Sequence, residues 1–339
     1  MMKYIVCQQP GTFLMKEKPA PQKTPGEALV RVKKVGICGT DLHAYAGNQA
    51  FFSYPRILGH ELAAEILEIE TNPLGLKAGD RVVVMPYISC HACAACRTGK
   101  TNCCRNIRVL GVHTDGGMQE IISVPVALLL PATGLSEDEM AIVEPLAIGA
   151  HAIQRAGLQE GETVVVIGCG PIGIGIMKLA QLAGATVIAI DRDSNRLAYA
   201  REEVGADQGV LAGPDAIQRV ADLSGGDMAA VVFDATGNKG ALESGVQYIA
   251  HGGRYVLVGL SKGDLVFNHP MIHAREASIL CSRNATREDF MQVIALLRRG
   301  EFPTGTYITH RVAFEEMIAQ FDRWQDTESG VIKALVTFG

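Results

Sequence analysis

An α/β protein with a doubly wound parallel sheet, joined to a β-rich domain, is the fold this sequence predicts. Three observations carry it. At 339 residues the chain exceeds what one hydrophobic core usually serves, so two domains are expected. From Thr163 onward the apolar residues come in continuous runs separated by helical stretches, as in strands buried on both faces of a parallel sheet. Before that point the runs are short and alternate apolar with polar positions, as in Ala28-Leu-Val-Arg-Val-Lys-Lys-Val35, with Pro19, Pro21 and Pro25 between them.

Composition narrows the class. With 48% hydrophobic and 20% charged residues the chain has ordinary globular composition, and a net charge of -5 leaves no footprint for nucleic acid or an anionic membrane. No apolar run reaches the length of a membrane span, and residues 1–10 lack the parts of a signal peptide, so a cytoplasmic protein is expected. Nine cysteines are an odd number, and four crowd between Cys90 and Cys104, which in a reducing compartment reads as metal binding.

Taken in order, residues 1–35, 62–69 and 81–84 read as short strands of the β-rich domain. Between the first two lie Gly36-Ile-Cys-Gly-Thr-Asp-Leu-His43 and Gly59-His60-Glu61. Zinc accepts thiolate, imidazole and carboxylate, and a catalytic site keeps one position open. Cys38, His60 and an acidic residue supply three ligands; one thiolate and one carboxylate balance the double charge.

Next comes Cys90-x2-Cys93-x2-Cys96-x7-Cys104. Four thiolates leave no open position, so this is a structural metal site, one that contributes about 10 kcal/mol or more of folding free energy. Cys103 is one thiol more than the site needs, and His91 reads as an exposed loop residue. The loop at 111–117 carries His113 among glycines and faces either a pocket or solvent. Glu144, in Ile142-Val-Glu-Pro-Leu146, is a carboxylate in an apolar setting, costly unless paired or metal-bound.

The run Val164–Ile167 leads into Gly168-Cys-Gly-Pro-Ile-Gly173 and a helical stretch. In this strand–turn–helix context the glycines permit a tight turn, close approach of a pyrophosphate and helix–strand packing. Gly168, Gly170, Pro171, Ile172 and Gly173 are therefore expected at a dinucleotide. A second apolar run ends at Asp191, 18 residues after Gly173, where an acid binds the ribose and disfavours a 2′-phosphate. NAD is thus expected over NADP, although Arg192 and Arg196 could hold that phosphate instead. Further strands are read at 231–234, 255–258 and 277–281. Val258, Gly259, Leu260, Cys281 and Ser282 lie at strand ends, where they border the nicotinamide, and Arg283 is a candidate to reach the substrate.

Together these motifs resemble the zinc-dependent medium-chain dehydrogenase/reductase family over essentially the whole chain. Glu144, where two-thiolate alcohol dehydrogenases have cysteine, resembles the polyol and threonine dehydrogenase branch. The stretches 47–55, 111–117 and 282–286 are similar to those of bacterial sugar-acid dehydrogenases of the L-galactonate 5-dehydrogenase kind. The resemblance implies a GroES-like, zinc-binding catalytic domain at 1–147, a Rossmann NAD-binding domain at 148–284 and a return segment at 285–339. It implies one catalytic and one structural zinc, and a homo-oligomer (dimer or tetramer) with a small-molecule substrate. Cys38, His60 and Glu61 or Glu144 then bind the catalytic zinc, Thr40 and His43 relay protons, and Asp41 supports a ligand. Tyr45, His113 and Arg283 suit a polyhydroxylated, carboxylated substrate oxidised at a secondary alcohol. L-Threonine 3-dehydrogenase is the alternative enzyme, and a scaffold that binds dinucleotide without chemistry is the alternative outside enzymes.

Overall fold

The computed structural model describes residues 1–49, 52–326 and 329–339. Ala50 and Phe51, within the stretch 47–55 that bears on the resemblance, lie outside the described residues. The chain forms two compact units, Met1–Pro145 with Thr286–Gly339, and Leu146–Ala285.

The first unit is built on the strand Glu27–Ile37, whose apolar face is the spine of the unit's core. It pairs antiparallel with Glu61–Glu68, with Ile121–Pro125 and with the C-terminal strand Lys333–Thr337. The register sets Gly36 opposite both Glu61 and Leu335, and Ile37 opposite Ala334. Adjacent strands lie about 4.8 Å apart. This register therefore draws residues from three distant parts of the sequence to one sheet end, beside Cys38.

An ion cluster ties the same strand to its surroundings. Asp138, on the helix Glu137–Ala141, meets Lys34 Nζ at 2.5 Å and Arg311 Nη2 at 2.8 Å. Burial pushes its carboxyl up, but the Lys34 and Arg311 contacts prevail and hold it below the usual aspartate range. A depressed carboxylate stabilises the fold fully above its unfolded pKa of about 3.9, and that contribution is lost as pH falls through the lower folded value. Asp138→Asn should therefore lower the urea midpoint at pH 7, with the gap to the parent closing below about pH 4. A gap that stayed constant down to pH 2.5 would assign the stabilisation to packing instead.

The second unit holds a six-stranded parallel sheet. Its order is Gln208–Leu211, Thr186–Asp191, Thr163–Ile167, Ala229–Asp234, Ile249–Leu257, Ser278–Cys281. The first strand in sequence lies mid-sheet and the chain winds outward to either side, so the switch point falls between Thr163–Ile167 and Ala229–Asp234. Gln208–Leu211 is the strand that apolar runs did not reveal, because Val210 alone among its four residues is buried. Between two of these strands the helix Lys239–Ser244 tightens into a 3-10 turn, Gly245–Tyr248. A side chain at Gly245 would collide with the buried Tyr255 ring, whose hydroxyl bonds Leu242 O at 2.9 Å. Among the described residues no helix is long and apolar enough to cross a membrane.

Candidate active site and metal centres

Cys38, His60 and Glu61 each place a ligand atom within 4.8 Å of the others. Their approach depends on Gly36, where a Cβ would stand 1.9 Å from Glu61 Oε2. Asp41 ties the parts together. One carboxylate oxygen accepts from Cys38 N–H at 2.9 Å, and the other accepts from Gly59 N–H at 3.4 Å and lies 3.8 Å from His60 Nδ1. His60 Nδ1 is buried without a hydrogen-bond partner. Such a nitrogen fits a ring whose other nitrogen is drawn onto a cation, turning Nδ1–H toward a carboxylate.

The electrostatics ask for the same cation. Burial works against a charged imidazole, yet Cys38, Asp41 and Glu144 drive His60 well above the usual histidine range. Glu61 is fully buried, and Lys333 Nζ donates to both its oxygens at 2.7 Å and to Ile37 O at 3.0 Å. Burial alone would lower the Lys333 pKa, but Glu61 and Cys38 raise it, so the ammonium stays charged inside the unit. One ammonium and one imidazole face four acidic groups, Cys38, Asp41, Glu61 and Glu144. A divalent ion among them offsets what the lysine does not.

The two acids that the sequence left open have different settings. Glu61, not Glu144, joins Cys38 and His60 in the ligand-sized group. Glu144 sits in the first turn of the helix Val143–Ala156, 5% exposed, where the Tyr87 hydroxyl donates to its Oε1.

Around this group the expected residues divide. Thr40 and His43 lie on the short helix Gly39–Tyr45 that follows Cys38, Thr40 half-buried and His43 exposed. His43 Nδ1 is 2.9 Å from Asn48 Oδ1. The Tyr45 ring stacks on Phe13 at 4.8 Å and tilts onto Phe321 at 5.0 Å, and its hydroxyl is engaged with Asp322. His113 Nδ1 accepts from Val109 N–H at 3.1 Å and shapes its own turn. In the loop 111–117 the glycines are buried, His113 and Thr114 are half-buried and Asp115 is exposed. Gly116 and Gly117 donate to Ile57 O and Gly59 O at 2.8 Å, and a Cβ at Gly116 would stand 2.3 Å from Gly59 O. The glycines let two backbones meet directly behind His60.

Cys90, Cys93, Cys96 and Cys104 likewise bring their sulfurs within 4.8 Å of one another, as free thiols. Cys104 faces inward while Cys103 is exposed, so the buried member of that pair belongs to the group. Backbone N–H groups of Arg105 and Cys96 hold the Cys93 thiol down at about 6, whereas burial and neighbouring sulfurs push Cys96 up to about 11. Four sulfurs this close cannot all ionise without a cation between them, which is the setting of a tetrahedral metal. His91 is exposed, 3.2 Å from Ser89 Oγ.

In the second unit, Gly168 has φ +98°, and a Cβ at Gly173 would lie 1.8 Å from Gly168 O. Gly170 caps the helix Pro171–Leu182, with Pro171 and Ile172 opening it. Asp191 closes the neighbouring strand and accepts from Cys169 N–H at 2.6 Å and Asp193 N–H at 3.0 Å. Arg192 is exposed, and Arg196 Nη1 lies 3.8 Å from where a Gly170 Cβ would be. Val258 and Gly259 both donate to Asp234 O, Leu260 is exposed, and Ser282 is buried with its hydroxyl unpartnered. Cys281 and Arg283 are exposed on either side of it.

Sequence reading missed Lys333 and Tyr87. The signal for Lys333 was a lysine inside the apolar run Val331-Ile-Lys-Ala-Leu-Val336, where a surface strand would expose it. Nothing local marked Tyr87.

Two family models match the chain. The alcohol dehydrogenase GroES-like domain covers residues 24–134 and the zinc-binding dehydrogenase model covers 171–299. The chain is 44% identical to L-galactonate-5-dehydrogenase of Escherichia coli strain K12, covering 99% of both chains. It is 33% identical to a sorbitol dehydrogenase of Halalkalibacterium halodurans, again over 99% of both. Among solved structures, a short chain alcohol dehydrogenase from Escherichia coli CFT073 complexed with NADH superposes with a TM-score of 0.92, at 30% identity and 99% coverage of both chains.

Proposed function

The chain belongs to the zinc-type alcohol dehydrogenase family, and we propose that it oxidises a secondary alcohol of a polyol or sugar acid, L-galactonate-like, with NAD as hydride acceptor. The observation that carries this reading is the Cys38–His60–Glu61 group, with His60 and Glu61 buried, in a chain that also has the glycine turn. When bound there, zinc supplies Lewis acidity, which makes loss of a proton from a hydroxyl accessible near neutral pH.

The chain's own residues do the rest. Cys38 and Glu61 supply charge and His60 a neutral donor, while Lys333 fixes the Glu61 carboxylate and Asp41 orients the imidazole. Thr40 takes the substrate proton inward and His43 releases it to solvent. An amide oxygen on His43 Nδ1 makes that nitrogen the donor, which leaves Nε2 to accept. In the second unit the turn at 168–173 holds the pyrophosphate, and Asp191 favours NAD by binding the ribose hydroxyls.

Residues 1–147 with the return segment 285–339 act as the catalytic domain in this reading, and 148–284 as the NAD-binding domain. The four-cysteine loop holds a second, structural zinc. The enzyme is cytoplasmic and homo-oligomeric, and Arg283 contacts the substrate carboxylate. Its test is NADH formation across hexonic acids, polyols, simple alcohols and L-threonine. Sugar acids or polyols should exceed ethanol by about 10⁴-fold in kcat/KM, the scale on which a site built to hydrogen-bond hydroxyls rejects analogues lacking them, and should also exceed threonine. Preference for threonine would move the protein to the alternative activity.

A further inference from the structure

We propose that Tyr87 is a positioning residue that holds Glu144 off the catalytic metal and so keeps open the coordination position a substrate needs. The inference rests on reading Cys38, His60 and Glu61 as that metal's ligands. Glu144 is close enough to interact electrostatically with both His60 and Glu61, yet its carboxylate is outside the group of ligand atoms within 4.8 Å. What holds it is the Tyr87 hydroxyl, donating to Oε1. Both residues are 5% exposed, so bulk water offers little alternative.

Tyr87 is itself fixed from two sides. Its ring packs edge-on against Phe290 at 6.0 Å, and Phe290 is fully buried on the helix Arg287–Arg298. Its backbone lies on the strand Tyr87–Ile88, paired with Arg108–Val109 at the base of the four-cysteine loop. The donor therefore cannot follow the carboxylate if the carboxylate moves.

A glutamate released from that bond remains buried with its carboxyl unpartnered, and a divalent ion nearby becomes its best partner. Were Glu144 to bind, the metal would have four protein ligands, the closed arrangement of a structural site. A phenol suits the restraint. It donates one hydrogen bond and brings no charge that would compete with the metal.

Tyr87→Phe deletes the hydroxyl and keeps the ring against Phe290. The catalytic metal is exchanged for Co²⁺, whose visible spectrum reports its coordination, and azide is titrated as a probe of the open position. The parent's cobalt band should respond to azide. Tyr87→Phe, with unchanged metal content, should need about 10- to 100-fold more azide and lose kcat/KM on the same scale, the usual effect of removing a partner of a metal-site residue. Adding Glu144→Gln to it should restore the azide response, because a neutral amide is a poor ligand. A Tyr87→Phe enzyme that binds azide like the parent overturns the proposal. So does a lost response that Glu144→Gln fails to restore, which assigns Tyr87 to packing alone. A parent cobalt band that persists in Cys38→Ala overturns the ligand assignment itself, and the proposal with it.

Discussion

Cys38→Ala should abolish turnover while leaving dinucleotide binding near the parent's, and metal content should fall from two ions per chain to one. Loss of the thiolate removes a ligand and a charge from a group that has three candidate ligands. The remaining imidazole and carboxylate hold a divalent ion poorly, and Glu61 already has a competing partner in Lys333. A Lewis acid contributes several kcal/mol to the barrier, so the drop in kcat/KM should be about 10³-fold or more. The second unit carries the glycine turn and has its own core, so NAD titration by fluorescence should be little changed. The surviving ion reports the four-cysteine loop and shows that the protein is folded. Parent-like turnover in this variant would remove the site from the reaction.

Lys333→Met is expected to have the largest effect on stability. Met matches the length of the stem and its apolar character, so packing is nearly preserved and the missing charge is what the experiment reads. Lys333 and Glu61 are 1% and 0% exposed, and breaking a buried pair by removing one partner costs about 3–5 kcal/mol. The penalty arises because Glu61 is left buried beside Glu144 and Cys38 with no ammonium. A bound metal supplies part of the lost compensation. The fall in urea midpoint should therefore be larger after chelation than in the metal-loaded protein. Equal midpoints for variant and parent in the chelated state would show that the Lys333–Glu61 pair adds nothing to stability there.

Much of this protein could be read from the sequence because its signals are local. Continuous apolar runs marked five strands of the parallel sheet, and a glycine turn between strand and helix identified a place for phosphate. Cysteines two residues apart can close on one ion within a single loop, as the Cys90–Cys104 cluster does. Tyr45 carries no such local signal: its ring packs with Phe13 and Phe321, residues distant in the chain. Nothing in the sequence of the loop 111–117 says which backbone will pack against Gly111, Gly116 and Gly117.

By itself the sequence determined the fold class, the thiolate and imidazole available to a metal, and the turn and acid available to a dinucleotide. Each follows from chemistry carried by residues near one another in the chain. Tertiary structure alone decided which carboxylate joins Cys38 and His60. That choice is made by sheet register, which sets Gly36 against Glu61 and brings Lys333 alongside, and by the Tyr87 hydroxyl that restrains Glu144. Partners separated by 57 and by 272 positions meet because strands pair, and pairing depends on the whole sheet's burial rather than on any short stretch.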